Sequence, residues 1–142
     1  MATREAVMQA LLAVVQGTAS YQTSGRRLRA PESITPAQSP AVFLVESGDE
    51  YAFDAPRPRR LTLNVKAFFY NNVGDDDTVI PSTLINNALD ALDAALAGDV
   101  PTGLCTLGGL VYSCRLSGEG KRASGELTGQ ALAVVPIKIV FP

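Results

Sequence analysis

The sequence predicts an α+β fold in which a mostly antiparallel four-stranded sheet carries two helices packed on one face. Two segments repeat apolar residues with the helical period: 3–16 and 81–97. Four segments have the β-branched, aromatic or alternating character of strands: 41–46, 61–70, 107–117 and 130–141. Because two amphipathic helices need one sheet face to cover, this order favours a single layer of helices on the sheet. The length of 142 residues fits one domain over 1–142.

Both helices have recognisable ends. Thr3 is a typical N-cap for the first helix, and Gly17 is a natural stop. Pro81 opens the second helix, whose apolar stripe runs to Leu96, and Gly98 ends it.

A long polar connection, residues 17–40, separates the first helix from the first strand. Glycine, serine, threonine and proline dominate it, and it carries the basic cluster Arg26, Arg27 and Arg29. Loops of this length inside a compact domain are usually functional or flexible. We therefore expect an arm that orders on contact with a neighbour, and the alternative is a mobile surface loop.

The strand 61–70 alternates between two chemically different faces. Leu61, Leu63, Val65, Ala67 and Phe69 share the apolar face, which is the pattern of a half-buried strand. The other face carries Lys66, Phe68 and Tyr70 and is left uncovered when both helices pack on one side, so it is a predicted interaction surface. In the last strand, Pro136 predicts a sheet edge or a bulge, because proline donates no ladder hydrogen bond.

Two clusters of opposite charge flank the same strand. Arg57, Arg59 and Arg60 precede it on a proline-stiffened turn, and Asp75, Asp76 and Asp77 follow it. Ten residues of strand span roughly 33 Å, too far for pairing within one chain. We expect at least one cluster to pair with a neighbouring subunit, and the alternatives are a solubilising turn and a solvated acidic turn. The aspartates lack the spacing of a calcium loop.

Several chemical functions are disfavoured by composition. The chain has no histidine, so Ser–His and Cys–His nucleophile pairs cannot form within it. The two cysteines, Cys105 and Cys114, would lie roughly 30 Å apart on one strand and are expected to be reduced thiols. A net charge of −2 offers no basic excess for sequence-specific nucleic-acid binding. We therefore expect no enzyme activity, no metal and no cofactor.

The order of segments resembles a known family. The segments "QSPAVFLVESG", "LTLNVKAFF", "STLINNALDALDAAL", "LGGLVYSCRLSGEG" and "ALAVVPIKIVF", after an N-terminal helix, resemble the tail terminator proteins of tailed bacteriophages, the group of minor tail protein U. The resemblance covers most of the chain and includes no catalytic motif.

The resemblance implies a structural role in a virion. Family members form a hexameric ring that caps the last ring of tail-tube subunits, stops tube growth and offers a docking surface to the head-side connector. The genome passes through the central channel without specific binding, and no membrane is involved. The protein would be assembled in the bacterial host cytoplasm and lie at the head-proximal end of the tail. The alternatives are a head-completion or neck protein of the same virion and a small-molecule binding module.

Overall fold

The computed structural model describes residues 2–53, 59–98, 103–123 and 129–142. The helices are α1, Arg4–Gln16, and α2, Pro81–Ala95. The strands are β1 (Thr23–Gly25), β2 (Ala41–Ala52), β3 (Arg60–Asn72), β4 (Ser113–Leu116), β5 (Lys121–Ala123) and β6 (Gln130–Val140). Two short 3₁₀ turns, Pro31–Ser33 and Pro36–Gln38, lie in the connection between β1 and β2.

The α+β class is confirmed, but the sheet differs from the four antiparallel strands expected. It has six strands in the order β1–β2–β3–β6–β4, with β5 also beside β6. The sheet is mixed because β1 runs parallel to β2, while the other pairs are antiparallel. The two strands that were not expected, β1 and β5, have three residues each. A strand this short does not show an alternating pattern of apolar residues.

Pro136 is not at a sheet edge, which corrects the first of the two expectations for it. Its strand, β6, lies between β3 on one side and β4 and β5 on the other. Leu116 of β4 pairs with Ile137, and Lys121 of β5 pairs with Val134. The chain beside β6 therefore advances five residues while β6 advances three, so it bulges by two residues beside the proline. The carbonyl of Pro136 accepts from the backbone N–H of Ser117 in this break. The missing N–H therefore faces the bulge, where no ladder bond is lost.

Both helices cover the same face of the sheet. The Thr3 side chain caps α1 by accepting from the N–H of Ala6 at 3.1 Å, as expected for an N-cap. The core contains buried residues from both helices and the three long strands: Val7, Met8, Leu11, Val15, Ile85, Leu92, Leu44, Leu63, Phe69, Ile137 and Ile139. This apolar layer fixes which side of every strand faces outward.

The connection 17–40 partly covers the second face of the sheet. Ile34 packs with Ala41, Phe43 and Tyr70 in a small separate cluster. The Tyr70 hydroxyl donates to the carbonyl of Arg29 at 3.0 Å, and the Asn72 amide donates to the carbonyl of Ile34 at 2.9 Å. The arm is therefore ordered by contacts within its own chain, without a neighbour, and Tyr70 is buried rather than exposed on an open face.

The predicted strand 107–117 is wrong in its first half. Leu107, Gly108 and Gly109 have φ values of 51°, 72° and 91°, so the chain turns there and only Ser113–Leu116 pairs with β6. A φ in this region is incompatible with an extended strand. The short strand β5 lies between the third and fourth expected strands, where the sequence predicts no strand.

Candidate interaction surface

The side of the sheet away from the helices carries a concentration of positive charge. We call this the open sheet face: the part of that side that the arm leaves uncovered. Because side chains alternate along a strand, the register assigns residues to this side. Five basic residues share it: Arg60, Lys66, Arg115, Lys121 and Lys138. Among the described strand residues, the same register places one acidic residue, Glu50, on this side.

The strand register brings like charges together on the open sheet face. Arg115 lies directly opposite Lys138, and Lys66 is diagonal to Lys138 across the β3–β6 pair. Like charges directly opposite are destabilising. Among the described residues of this face, one ion pair joins the Lys138 ammonium to the Glu50 carboxylate at 3.9 Å, and the Glu50 side chain is 62% exposed. Such an exposed pair contributes about 0–1 kcal/mol, so the positive charge is largely uncompensated.

Apolar side chains lie among these basic residues. Val45, Phe68, Leu132 and Val134 are half-buried and occupy outward positions of β2, β3 and β6. The open sheet face therefore places basic side chains next to an apolar area, which lies toward the end of the sheet that the arm covers. The expected position of Phe68 on this side is confirmed, and Lys66 is exposed beside it.

The helix side carries an acidic segment, and the Arg122 guanidinium of β5 donates to Asn86 on the outward side of α2. Residues 73–97 contain five aspartates and no lysine or arginine. Within α2, Ile85, Ala88 and Leu92 are buried against the sheet, which leaves Asp90 and Asp93 exposed. We call the outward side of α2 together with the turn 75–80 the α2 face. It also exposes three apolar residues: Val79, Ile80 and Leu84.

The aspartate cluster at 75–77 lies in the turn before α2. Asp76 accepts hydrogen bonds from the N–H and the hydroxyl of Thr78, and these bonds lower the pKa of Asp76. Asp75 and Asp77 are exposed. No group of three or more potential ligands with metal-binding geometry occurs among the described residues. The cluster is a solvated turn whose central member stabilises the local backbone.

The three arginines of the arm have different environments. The Arg26 guanidinium bridges two carboxylates, at 2.6 Å from Glu5 of α1 and 2.5 Å from Glu46 of β2. Arg29 donates to the carbonyl of Ser33 at 3.2 Å. Arg27 is exposed. Arg26 therefore ties the arm to its own subunit, and Arg27 is the member whose side chain is available to a neighbour.

The second arginine cluster is divided by the fold. Arg57 lies outside the described residues. The Arg59 guanidinium lies 5.1 Å from the centroid of the Tyr51 ring, whereas Arg60 takes an outward position at the start of β3, on the side of the open sheet face. Arg60 and the aspartates lie at opposite ends of β3, as the sequence predicted. Sequence reasoning missed Arg115, Lys121 and Lys138, because only the pairing of β4, β5 and β6 shows that they share a face with Lys66.

The cysteines are closer than a common strand would place them. The N–H of Cys114 donates to the carbonyl of Cys105 at 2.8 Å, so the expected separation of 30 Å is wrong. Both are free thiols. Burial, and secondarily the neighbouring Cys105, raises the pKa of Cys114 to about 12. A thiol with this pKa stays protonated at neutral pH and is a poor nucleophile.

Cavities between the helices and the sheet are shallow. One of 390 Å³ is lined mainly by residues 18–21 and by Leu84, Ala88 and Ala91 of α2. Another, of 420 Å³, lies beside Cys105 and Thr106. The first cavity also includes Thr18, Ser20, Tyr21 and Asn87 in its lining, whereas the second is lined mostly by alanine, glycine and other apolar residues. In the described ranges, neither helix has the length and apolar character needed to cross a membrane.

No protein-family model matches the chain, and no curated protein matches it. Among solved structures, the chain is similar to a chain of the virion of a native gene transfer agent (GTA) particle. The two share 16% sequence identity with a TM-score of 0.50, and the match covers 98% of this chain and 93% of that chain. At this identity the similarity shows a shared fold over nearly the full length of both chains.

Proposed function

We propose that the protein is a structural component of a phage-like virion. More specifically, it forms a hexameric ring that caps the tail tube, stops its elongation and provides the docking surface for the head-side connector. It acts at the head-proximal end of the tail, after assembly in the host cytoplasm, and it performs no catalysis. The tail-tube protein and the connector are its partners, and the genome passes through the ring without specific binding.

The observation that carries this proposal is the full-length similarity in fold to a chain of a gene transfer agent virion. The similarity covers both helices and the whole sheet, so it does not depend on a common local motif. The resemblance of the segment order to tail terminator proteins supports the finer role in the tail.

Two further observations support assembly over catalysis. The open sheet face and the α2 face differ in charge and lie on opposite sides, as a repeated head-to-tail contact requires. The buried Cys114 thiol, whose pKa is raised, lacks the electropositive exposed environment of a reactive cysteine.

Electron microscopy of particles made without this protein tests the role directly. We expect tails of uncontrolled length that carry no heads, because the step that stops tube growth is missing. Adding the purified protein to growing tubes should end elongation and leave a ring at one end. Tails of normal length joined to heads would contradict the proposal.

The same experiment distinguishes the neighbouring role in the virion. A head-completion or neck protein would leave tails of normal length that fail to join heads. A small-molecule binding module would leave both tail length and head joining unaffected in this experiment.

A further inference from the structure

We propose that the subunits of the ring associate by docking the open sheet face of one copy on the α2 face of the next. The inference rests on the proposed assembly into a ring and adds the surfaces that make the contact. It commits to a second copy of this chain as the occupant of the open sheet face.

Charge complementarity is the first argument. The open sheet face has five basic residues and one acidic residue, whereas the segment 73–97 has five aspartates, and a basic group, the Arg122 guanidinium, bonds to Asn86 in its α2 part. Each surface concentrates like charge at a cost to its own subunit, as Arg115 opposite Lys138 shows. Contact between the two surfaces relieves both repulsions at once.

The apolar areas provide the second argument. On the α2 face, Ile80 and Leu84 are 64% and 44% exposed at the N-terminal end of the helix, close in the chain to the acidic turn 75–77. On the open sheet face, Phe68, Leu132 and Val134 are half-buried and adjoin Lys66 and Lys121 in the strand register. Each surface therefore has an apolar area bordered by charge, and the two borders have opposite sign. An interface with an apolar core and a polar rim is the usual anatomy of protein association.

The positions of the two surfaces provide the third argument. α2 packs on β3 and β6 from one side, and the open sheet face is the other side of those same strands. A contact between opposite sides of identical subunits cannot be two-fold and self-limiting, so it is heterologous. Repetition then produces a closed ring when the rotation per subunit divides a full turn, and a filament otherwise.

Two charge-reversed variants test the contact. The sheet variant is Lys66→Glu with Arg115→Glu, and the helix variant is Asp90→Lys with Asp93→Lys. All four residues are exposed, so the fold should be retained, and circular dichroism with thermal unfolding checks this. The control is Arg59→Glu, which reverses a charge at an exposed residue that lies over the Tyr51 ring, on the helix side of β2.

The measurement is the solution mass by sedimentation velocity at low salt. We expect the parent and the control to associate and each variant alone to be monomeric, with the dissociation constant raised roughly tenfold for each reversed charge. Mixing the two variants should restore association, because each acidic sheet face then meets a basic α2 face and each basic sheet face meets an acidic α2 face. Only a heterologous contact between these two surfaces predicts this complementation.

Three results would overturn the contact. One is a parent that remains monomeric at its highest soluble concentration. The second is variants that associate like the parent, or that do not complement each other when mixed. The third is a sheet variant that loses binding to a fluorescent DNA duplex while its mass is unchanged, which would make the open sheet face a polyanion site. If the mixed variants associate as expected but the assembly does not end tube growth, the contact is supported and the proposed function is contradicted.

Discussion

Cys114 is the residue whose protonation differs most clearly between the folded and unfolded chain. Burial raises its pKa to about 12, whereas a thiol in an unfolded chain titrates near about 8.5. The folded pKa is above the unfolded one, so as the pH rises the unfolded chain loses this proton first. The stabilising contribution is complete below about pH 8.5 and disappears as the pH rises toward about 12.

Replacement of Cys114 by alanine should therefore flatten the alkaline dependence of stability. We expect the urea midpoint of the parent to fall from about pH 8 to about pH 10.5, and the midpoint of Cys114→Ala to fall less steeply. The variant also loses packing, so it is less stable at neutral pH, and the slope rather than the absolute midpoint is the test. Equal slopes for the two proteins would contradict this account of the thiol.

The sequence correctly predicted the backbone requirement of Pro136, but it also offered a sheet edge as its position, which is wrong. Its missing N–H does require a site without a ladder bond, as the sequence indicated. That site is a break in the adjacent strand, between Leu116 and Lys121, and not a free edge. The bulge belongs to a different segment of the chain, so no pattern around the proline itself reveals it.

At the scale of elements, the arm 17–40 is held to the sheet by a few specific bonds. Tyr70 and Asn72 of β3 donate to the carbonyls of Arg29 and Ile34, and the N–H of Asn72 donates to the hydroxyl of Ser39. Tyr21 packs against the core and β1 pairs with β2, so the bonds from Tyr70 and Asn72 and the Arg26 bridge mainly hold the part of the arm that follows β1. Segments with few buried contacts open locally at low free-energy cost.

Tyr70→Phe should loosen this arm. The change removes the bond to the Arg29 carbonyl and costs about 1 kcal/mol, which raises the population of the open arm about fivefold. Trypsin cleavage after Arg27 or Arg29 should accelerate by the same factor, read by mass spectrometry. The matched control is Tyr112→Phe, the same chemical change at a side chain that is 60% exposed. Cleavage that is equally fast in both variants would show that the hydroxyl of Tyr70 does not hold the arm.

Elements whose own apolar residues repeat with the helix or strand period were predictable, and features that depend on pairing with another strand were not. Both helices and the strand 61–70 appear within a few residues of their expected bounds, because their own side chains bury the core. The strand predicted to end at 46 continues to Ala52, where polar residues pair with β3 without a buried face. The sequence could not show that one face carries Lys66, Arg115 and Lys138, because the register is a property of strand pairs and not of a single strand.

At the scale of the whole molecule, a net charge of −2 conceals a strong separation of charge. Asp90 and Asp93 lie on the helix side, the aspartates 75–77 follow the end of β3, and basic residues dominate the open sheet face. This separation gives the subunit an electric dipole. Identical copies therefore attract most strongly when the basic side of one faces the acidic side of the next, which is a head-to-tail arrangement. The expected pairing of charged clusters between subunits therefore stays a prediction, with the basic partner now extended beyond the arginines at 57–60.

Arg59 and Arg60 offer a matched pair that tests this separation, because they are adjacent in the chain and have different environments. Arg60 is on the side of the open sheet face, whereas Arg59 lies over the Tyr51 ring. Arg60→Glu should weaken self-association roughly tenfold at about 0.1 M salt and much less at about 1 M, where the Debye length has fallen to about 3 Å. Arg59→Glu makes the same change in net charge but should leave association unchanged and lower stability by about 0.5–1 kcal/mol, the usual size of an exposed cation–π contact. Sedimentation equilibrium at both salt concentrations measures the first effect, and urea unfolding measures the second. If both variants weaken association equally, net charge and not the open sheet face controls assembly.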